Sequence, residues 1–336
     1  MAGITFTEGS NLQNSIFGKS QEPIRMFLEK RGEAFEQESI AKEIFVMQKS
    51  THWAEKLTGM TTMEGFQPVG ENGAYPVDSI REGYNKVIEH MTWKDSFSIS
   101  REIMDDSKIL DLRQKPLGFI TGYYRTRENF AAALLGSAIR KQTSVKFYGF
   151  TFDTKTADGS ALFATNHAPK VKGGNQSNLW ADAFSNDALM AAEERMQNMV
   201  DDSGNILDIA PDTILIPNLY QLKKSVFSAI GADQDPETAN NGFNYNYGRW
   251  TVIVWPYLNR HITANTAPWV LMDSKFNKDY NGAVWFDRVP LEVRSTLDDG
   301  NDANVWRGYA RFNAGFNDFR FASCGGVDGG TQLISA

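Results

Sequence analysis

The sequence predicts an α+β protein of two domains organised around one long helix. Three observations carry this. Residues 112–141 repeat apolar side chains at helical spacing over an unusual length. Between Val145 and Phe286, short β-branched and aromatic runs alternate with helical stretches bounded by turn residues. Residues 304–323 then alternate apolar and polar with a period of two. With 336 residues, 41% of them apolar and 22% charged, the chain has the length for two cores and the composition of a globular protein.

In the central stretch, LRQKPLGFITGYYRTRENFAAALLGSAIRK, one apolar row runs through Ile120, Tyr124, Ala131, Leu135 and Ile139, and a second through Phe130, Leu134 and Ala138. Pro116 suits a first turn, where its missing N–H costs nothing. Arg140 and Lys141 place cations in the last turn, at the negative end of the dipole. A helix from Pro116 onward would span roughly 38 Å. Such a helix serves as a spine on which sheets hang, although the central helix of an α+β enzyme would show the same periodicity.

Residues 1–22 are polar and unpatterned and read as an extended arm. Pro23 opens a candidate helix, and Phe35, Ile40, Ile44 and Met47 mark an amphipathic one. From Met60 to Tyr84, Gly65, Pro68, Gly70, Gly73, Pro76 and Gly83 prevent helix and interrupt strands, so this is a long and therefore functional loop. Lys86 to Ser100 alternates and reads as one long strand, with Val87, Glu89, Met91 and Trp93 on one face and Ile88, His90, Thr92 and Lys94 on the other. It fits a surface hairpin, or an arm that finds its partner on another subunit. Short strands are expected at Val145–Asp153 and Ala161–Thr165, and Lys172–Leu179 is a loop. Ser185 caps a helix over Asn186–Val200. A buried strand at Thr213–Ile216, a helix at Leu219–Ile230, an Asn- and Gly-rich loop, and strands at Trp250–Trp255, Trp269–Met272 and Ala283–Phe286 follow. In the last stretch Trp306, Ala310, Phe312, Ala314 and Phe316 share a face. The phase changes after Asn317-Asp318, which marks a turn or bulge.

Strong signatures of chemistry are missing. Gly18-Lys19-Ser20 resembles the end of a phosphate-binding loop, but Gln13 stands where the first glycine is required and no apolar strand precedes it. There is no GxSxG elbow. His52, His90, His167 and His261 are scattered singly, so neither a metal nor a cofactor is expected. The turns Asp201-Asp202 and Asp298-Asp299 lack EF-hand spacing and read as solvated. Cys324 is the only cysteine, which excludes an intrachain disulfide and suits a reducing cytoplasm. No apolar run reaches the length of a membrane helix, and the start MAGITFTEGSNLQ is not a secretory signal. A net charge of -7 argues against a dedicated nucleic-acid binder.

Several stretches in order resemble the major capsid proteins of tailed phages. KDSFSISREIMDDS (94–107) leads into the long helix as the extended loop leads into the spine helix there. ALFATNHAPK (161–170), GGNQSNL (173–179), GNILDIAPDTILIP (204–217), WTVIVWPYL (250–258) and WVLMDS (269–274) resemble the Mu-like major head subunit group. The match runs from about Ile88 to about Ala322. The resemblance implies the Hong Kong 97-type capsid fold. Its parts would be an N-terminal arm and helix (1–58), an extended loop (59–100), a peripheral domain with the spine (101–180, helix 112–141), an axial domain (181–299), and a returning peripheral strand with the C-terminus (300–336). It implies a non-enzymatic shell subunit that assembles through hexamers and pentamers into an icosahedral head in the host bacterial cytoplasm. That head would enclose DNA without sequence-specific binding. A scaffold protein, a portal and a decoration protein would be its partners. An untrimmed N-terminus is expected. An encapsulin-type nanocompartment shell is the alternative within the same fold, and an enzyme with a dispersed site is the remote one. The candidate interface is electrostatic: Arg81, Glu82, Lys86, Glu89 and Lys94 of the loop and its strand against Arg125, Arg127 and Glu128 of the spine, between neighbouring subunits.

Overall fold

The computed structural model describes residues 5–7, 30–60, 66, 68–71, 73–75, 77, 82–105, 109–171, 173–231, 244–263, 266–298, 300 and 303–327. The arm at 1–22 is described only at β1 (Thr5–Thr7). Then come α1 (30–37), α2 (Ala41–Ile44), β2 (Val46–Lys49), β3 (Ala54–Met60), β4 (Glu82–Glu89), β5 (Met91–Ile99) and α3 (Arg101–Asp105). The long helix α4 (Ile109–Ile139) is followed by the hairpin β6 (Ser144–Phe147) and β7 (Phe150–Asp153). After it lie α5 (Asn186–Gln197), β8 (Thr213–Pro217), α6 (Tyr220–Gly231), β9 (Thr251–Trp255), β10 (Trp269–Met272) and α7 (Ser274–Tyr280). The chain continues with β11 (Ala283–Asp298), β12 (Ala303–Phe316) and β13 (Ala322–Gly325). It divides into two compact units, one of residues 1–55, 88–130 and 285–314, the other of 56–87, 131–284 and 315–336.

The first unit is built on a sheet ordered β1-β11-β12-β5, with β2 also paired to β11. β12 and β5 run antiparallel from Asn304 opposite Ile99 to Phe312 opposite Met91. Every second residue of β12 is buried, including Trp306, Ala310, Phe312 and Ala314, as alternation predicts. Phe312 stacks on Trp93 at 4.9 Å and on Trp285 at 5.1 Å, and Phe130 of α4 meets Trp285 edge-on at 5.8 Å. Such pairs add about 0.5–1.5 kcal/mol each beyond their buried area. Gly308 is required where it stands: a Cβ there would lie 2.4 Å from Phe119 Cζ.

The second unit holds a four-stranded sheet, β13-β10-β8-β9. Its central strands β8 and β10 are buried along their whole length, which is why they read as unbroken apolar runs. Residues 131–139 of α4 are buried on all sides. The helix then ends in a Schellman turn: Lys141 takes φ 60°, its N–H bonds Ala138 O at 2.9 Å, and Gln142 N–H bonds Ser137 O at 3.0 Å. Ser185 caps α5 by accepting from Ala188 N–H at 3.0 Å. Asn178 is a hub. Its amide donates to the carbonyls of Leu162 (2.8 Å), Phe319 (3.2 Å) and Ala322 (3.0 Å) and accepts from Ala164 N–H (3.0 Å).

Several expectations are corrected. α4 begins at Ile109, so Pro116 lies inside it and not in its first turn, and Arg140 and Lys141 fall just past its end. Phe35–Met47 is not one helix. It breaks between α1 and α2 where Ser39 Oγ and Ala41 N–H both turn to Glu128 of α4, and Met47 belongs to a strand. The strand expected over 86–100 breaks at His90, whose N–H bonds Trp53 O at 3.2 Å. The break flips the parity: Lys86 and Ile88 are the buried residues before it, while Trp93, Phe97 and Ile99 turn inward after it. β11 is far longer than Ala283–Phe286. Residues 161–165 form no strand beyond an isolated bridge at Ala161. Asp202 is not a solvated turn residue, since Arg320 meets it at 2.6 Å and meets Asp318 at 3.1 Å.

Candidate assembly surface

The charges singled out in the sequence divide by what they touch. In the first unit, Arg127 points into the core. Its guanidinium donates to both Asp287 oxygens (2.8 and 3.1 Å) and to Tyr123 Oη (3.0 Å), and lies over the Trp285 ring at 4.7 Å. Trp285 Nε1–H donates to the same Asp287 carboxylate at 3.0 Å. Burial works against the charge on Arg127, but Tyr123 and Asp287 outweigh it and hold its pKa above the ordinary value. Glu128 caps the chain at Ser39 and Ala41. Glu36 accepts from Tyr124 Oη at 3.4 Å, and burial raises its carboxyl above the ordinary range despite Arg127 nearby. Glu89, Lys94 and Arg125 are exposed, Lys94 with its ammonium 5.9 Å from the Tyr309 ring centre.

In the second unit, Lys86 is buried and donates to Asp153 Oδ2 at 2.6 Å and to Lys155 O at 2.8 Å. Glu82 is exposed. Arg81 lies outside the described residues. The structure therefore gives Lys86, Arg127 and Glu128 partners inside their own units and leaves Glu82, Glu89, Lys94 and Arg125 at the surface.

Apolar residues missed in the charge-centred reading lie at the surface as well. Phe66, Tyr75 and Val77 in the loop are each more than nine-tenths exposed. The β6–β7 turn is made by Tyr148 and Gly149, at φ 47° and 85°, and leaves Tyr148 and Phe150 exposed. Tyr220 and Phe227, seven residues apart on α6, are exposed on one helix face. Bulky apolar residues within the Gly- and Pro-rich loop were the available signal, because that stretch has no core of its own to bury them.

His167 and Cys324 serve packing. His167 stacks on Phe319 at 3.7 Å between Asp158 (2.6 Å) and Asn178 (3.2 Å). Cys324 is buried in β13, and burial pushes its thiol pKa up. Among the described residues, no three His, Cys, Asp or Glu side chains are grouped to hold a metal ion, and no helix is long and apolar enough to cross a membrane.

A sequence model of the family described as phage capsid protein matches residues 84–323. The chain belongs to that family. As a phage capsid protein it is a structural component of the virion head shell, and it works by association with further copies and not by catalysis. No curated protein matches it. Solved capsids share its fold at low identity. The capsid of Ralstonia phage GP4 aligns at TM-score 0.52 and 9% identity, over 84% of this chain and 86% of that one. The mature capsid of bacteriophage PhiM1 aligns at 0.50 and 11%, over 87% of each chain. The capsid of cyanophage P-SCSP1u aligns at 0.50 and 10%, over 85% of this capsid protein and 87% of its own.

Proposed function

We propose that this capsid protein is a major head subunit of the Mu-like group with the Hong Kong 97-type fold, assembling through hexamers and pentamers into an icosahedral shell around the DNA of a tailed phage. The family match over residues 84–323 carries the reading. The order of elements supports it: a long loop between β3 and β4, the spine α4, an α/β stretch, and the returning strand β12. In this reading the arm and first helix are 1–58, the extended loop 59–100, the peripheral domain 101–180 with 300–336, and the axial domain 181–299. A scaffold guides assembly in the host cytoplasm, a portal occupies one vertex, and a decoration protein binds the finished shell. The acidic balance of the subunit suits a shell that does not grip packaged DNA.

Subunit contacts in this proposal combine the exposed apolar residues of the loop with the surface charges Glu82, Glu89, Lys94 and Arg125, and with Arg81, which lies outside the described residues. An exposed pair contributes only about 0–1 kcal/mol, so charge supplies register across many repeated interfaces. Electron microscopy of the purified protein, with and without co-expressed scaffold, tests the reading. Closed faceted particles are expected. A monodisperse monomer at every concentration, in both preparations, would overturn it.

A further inference from the structure

One face of the first unit's sheet carries cations without counter-ions among the described residues. Phe312 and Ala310 of β12 turn to the core, so Arg311 lies on the opposite face. On β11, Asp287 turns to Arg127 in the core, and Arg288 lies on the other face. His90, between β4 and β5, packs edge-on against Phe286 of the same face, ring centres 6.3 Å apart. Three nitrogens here are shielded from solvent and have no hydrogen-bond partner: Nη1 of Arg288, Nε of Arg311 and Nδ1 of His90. Among the described residues no carboxylate pairs with either arginine. A buried donor without an acceptor is costly, and two unneutralised guanidinium groups beside one imidazole raise that cost.

The geometry around His90 is fixed on its other side. Ser50 Oγ lies 2.7 Å from His90 Nε2 and 2.6 Å from Glu55 Oε1, and Ser50 N–H donates to Asp287 O at 3.1 Å. The single hydroxyl proton goes to the carboxylate, so Nε2–H of His90 donates to the serine oxygen. Nδ1 is left as the edge that can take up a proton when an anion arrives. Burial first, then Arg288 and Arg311, hold His90 below its ordinary pKa, against the smaller opposite pull of Glu55 and Asp287, so the local potential is positive.

We propose that Arg288, Arg311 and His90 form a receptor for a carboxylate side chain of a second copy of this chain. Guanidinium forks on adjacent strands match the two oxygens of a carboxylate. The subunit carries 41 acidic against 34 basic residues, so a neighbouring copy can supply the acid. The three residues are half-buried and their orphaned nitrogens shielded, whereas a nucleic-acid backbone is gripped by exposed cations. The inference rests on the shell reading above and adds a specific contact to it.

The test is a density map of the assembled wild-type shell together with the variants R288Q and R311Q. The expected result is a neighbour's carboxylate within hydrogen-bond distance of both arginines. Each variant should then raise the concentration needed for particle formation by about tenfold or more. The free variant subunits should melt at or above the wild-type temperature, because removing one of two unneutralised like charges relieves repulsion. R288K and R311K, which keep the charge and lose the fork, should fall between. Variant subunits that unfold would show that these charges serve the fold and overturn the proposal. So would DNA phosphate in the density, or variants that alter only DNA retention in otherwise normal particles. Solvent at the cluster, or wild-type assembly by both variants, would also overturn it, leaving the shell reading intact. Wild-type subunits that never form particles would overturn the shell reading and this contact with it.

Discussion

Arg127→Met measures how far the first unit depends on a buried ion pair. The change removes two charge-assisted bonds to Asp287, at 2.8 and 3.1 Å, one bond to Tyr123, and the stacking over Trp285. With Arg127 15% and Asp287 8% exposed, water cannot replace what is lost. Among the described residues, the Asp287 carboxylate keeps only the bond from Trp285 Nε1–H, at 3.0 Å. Breaking a buried pair from one side costs about 3–5 kcal/mol, and the surviving tryptophan bond places this case at about 3–4 kcal/mol. Urea unfolding of soluble subunits, held below the concentration for assembly, reads the loss as a midpoint shift at unchanged slope. The double variant R127M/D287N removes the stranded charge and should recover about 1–2 kcal/mol of that loss. A loss below about 1 kcal/mol, the value of an exposed pair, would refute the reasoning. Strict additivity of the two single changes would refute it as well.

Further outcomes follow from other residues. His90 titrates below its ordinary value of 6.5, so the unfolded chain binds its proton first and stability should fall as pH drops through 6.5 toward the folded value; His90→Asn should flatten that slope in urea midpoints taken across the window. Gly308→Ala drives a methyl to 2.4 Å from Phe119 Cζ and should cost about 1–3 kcal/mol, read by the same unfolding assay. Chymotrypsin should cut free subunits after Phe66, where Gln67 follows, and spare them in particles, while the Tyr75–Pro76 bond resists it in both; equal rates at Phe66 would show that the loop is not covered by a neighbour. Cys324, buried with its thiol pKa raised, should react with an aromatic disulfide reagent only on unfolding.

Local signals were legible in the sequence. The two rows of α4, the serine cap of α5 and the bounds of β10 each depend on spacing within a few residues, and the structure has them as read. What stayed hidden depends on partners distant in the chain. Lys86 looked like a surface charge because its acceptor Asp153 is 67 positions away, and Arg127 because Asp287 is 160 away. Asp202 looked solvated because its cation, Arg320, comes 118 residues later. The start of α4 was masked by Pro116, whose usual place is a first turn, and the length of β11 by Asp287, Arg288 and Pro290, which interrupt its apolar pattern. The shielded face at Arg288 and Arg311 had no sequence signal, since it exists only where three strands and a bend converge.

The Asn178 hub has a consequence for how a subunit is completed. Two of its carbonyl partners, Phe319 and Ala322, lie 141 and 144 residues further along, and β13 beside them covers the open side of β10. A chain interrupted before Phe319 would keep the asparagine and lose both acceptors. It would also bare the edge of β10, a template for pairing with other chains, and uncover Trp269, whose indole fits against Gly325. Incomplete translation products would therefore be sticky, not merely inactive. Closing the edge of β10 therefore waits on β13, and only a chain that reaches Gly325 presents β10 without a bare edge.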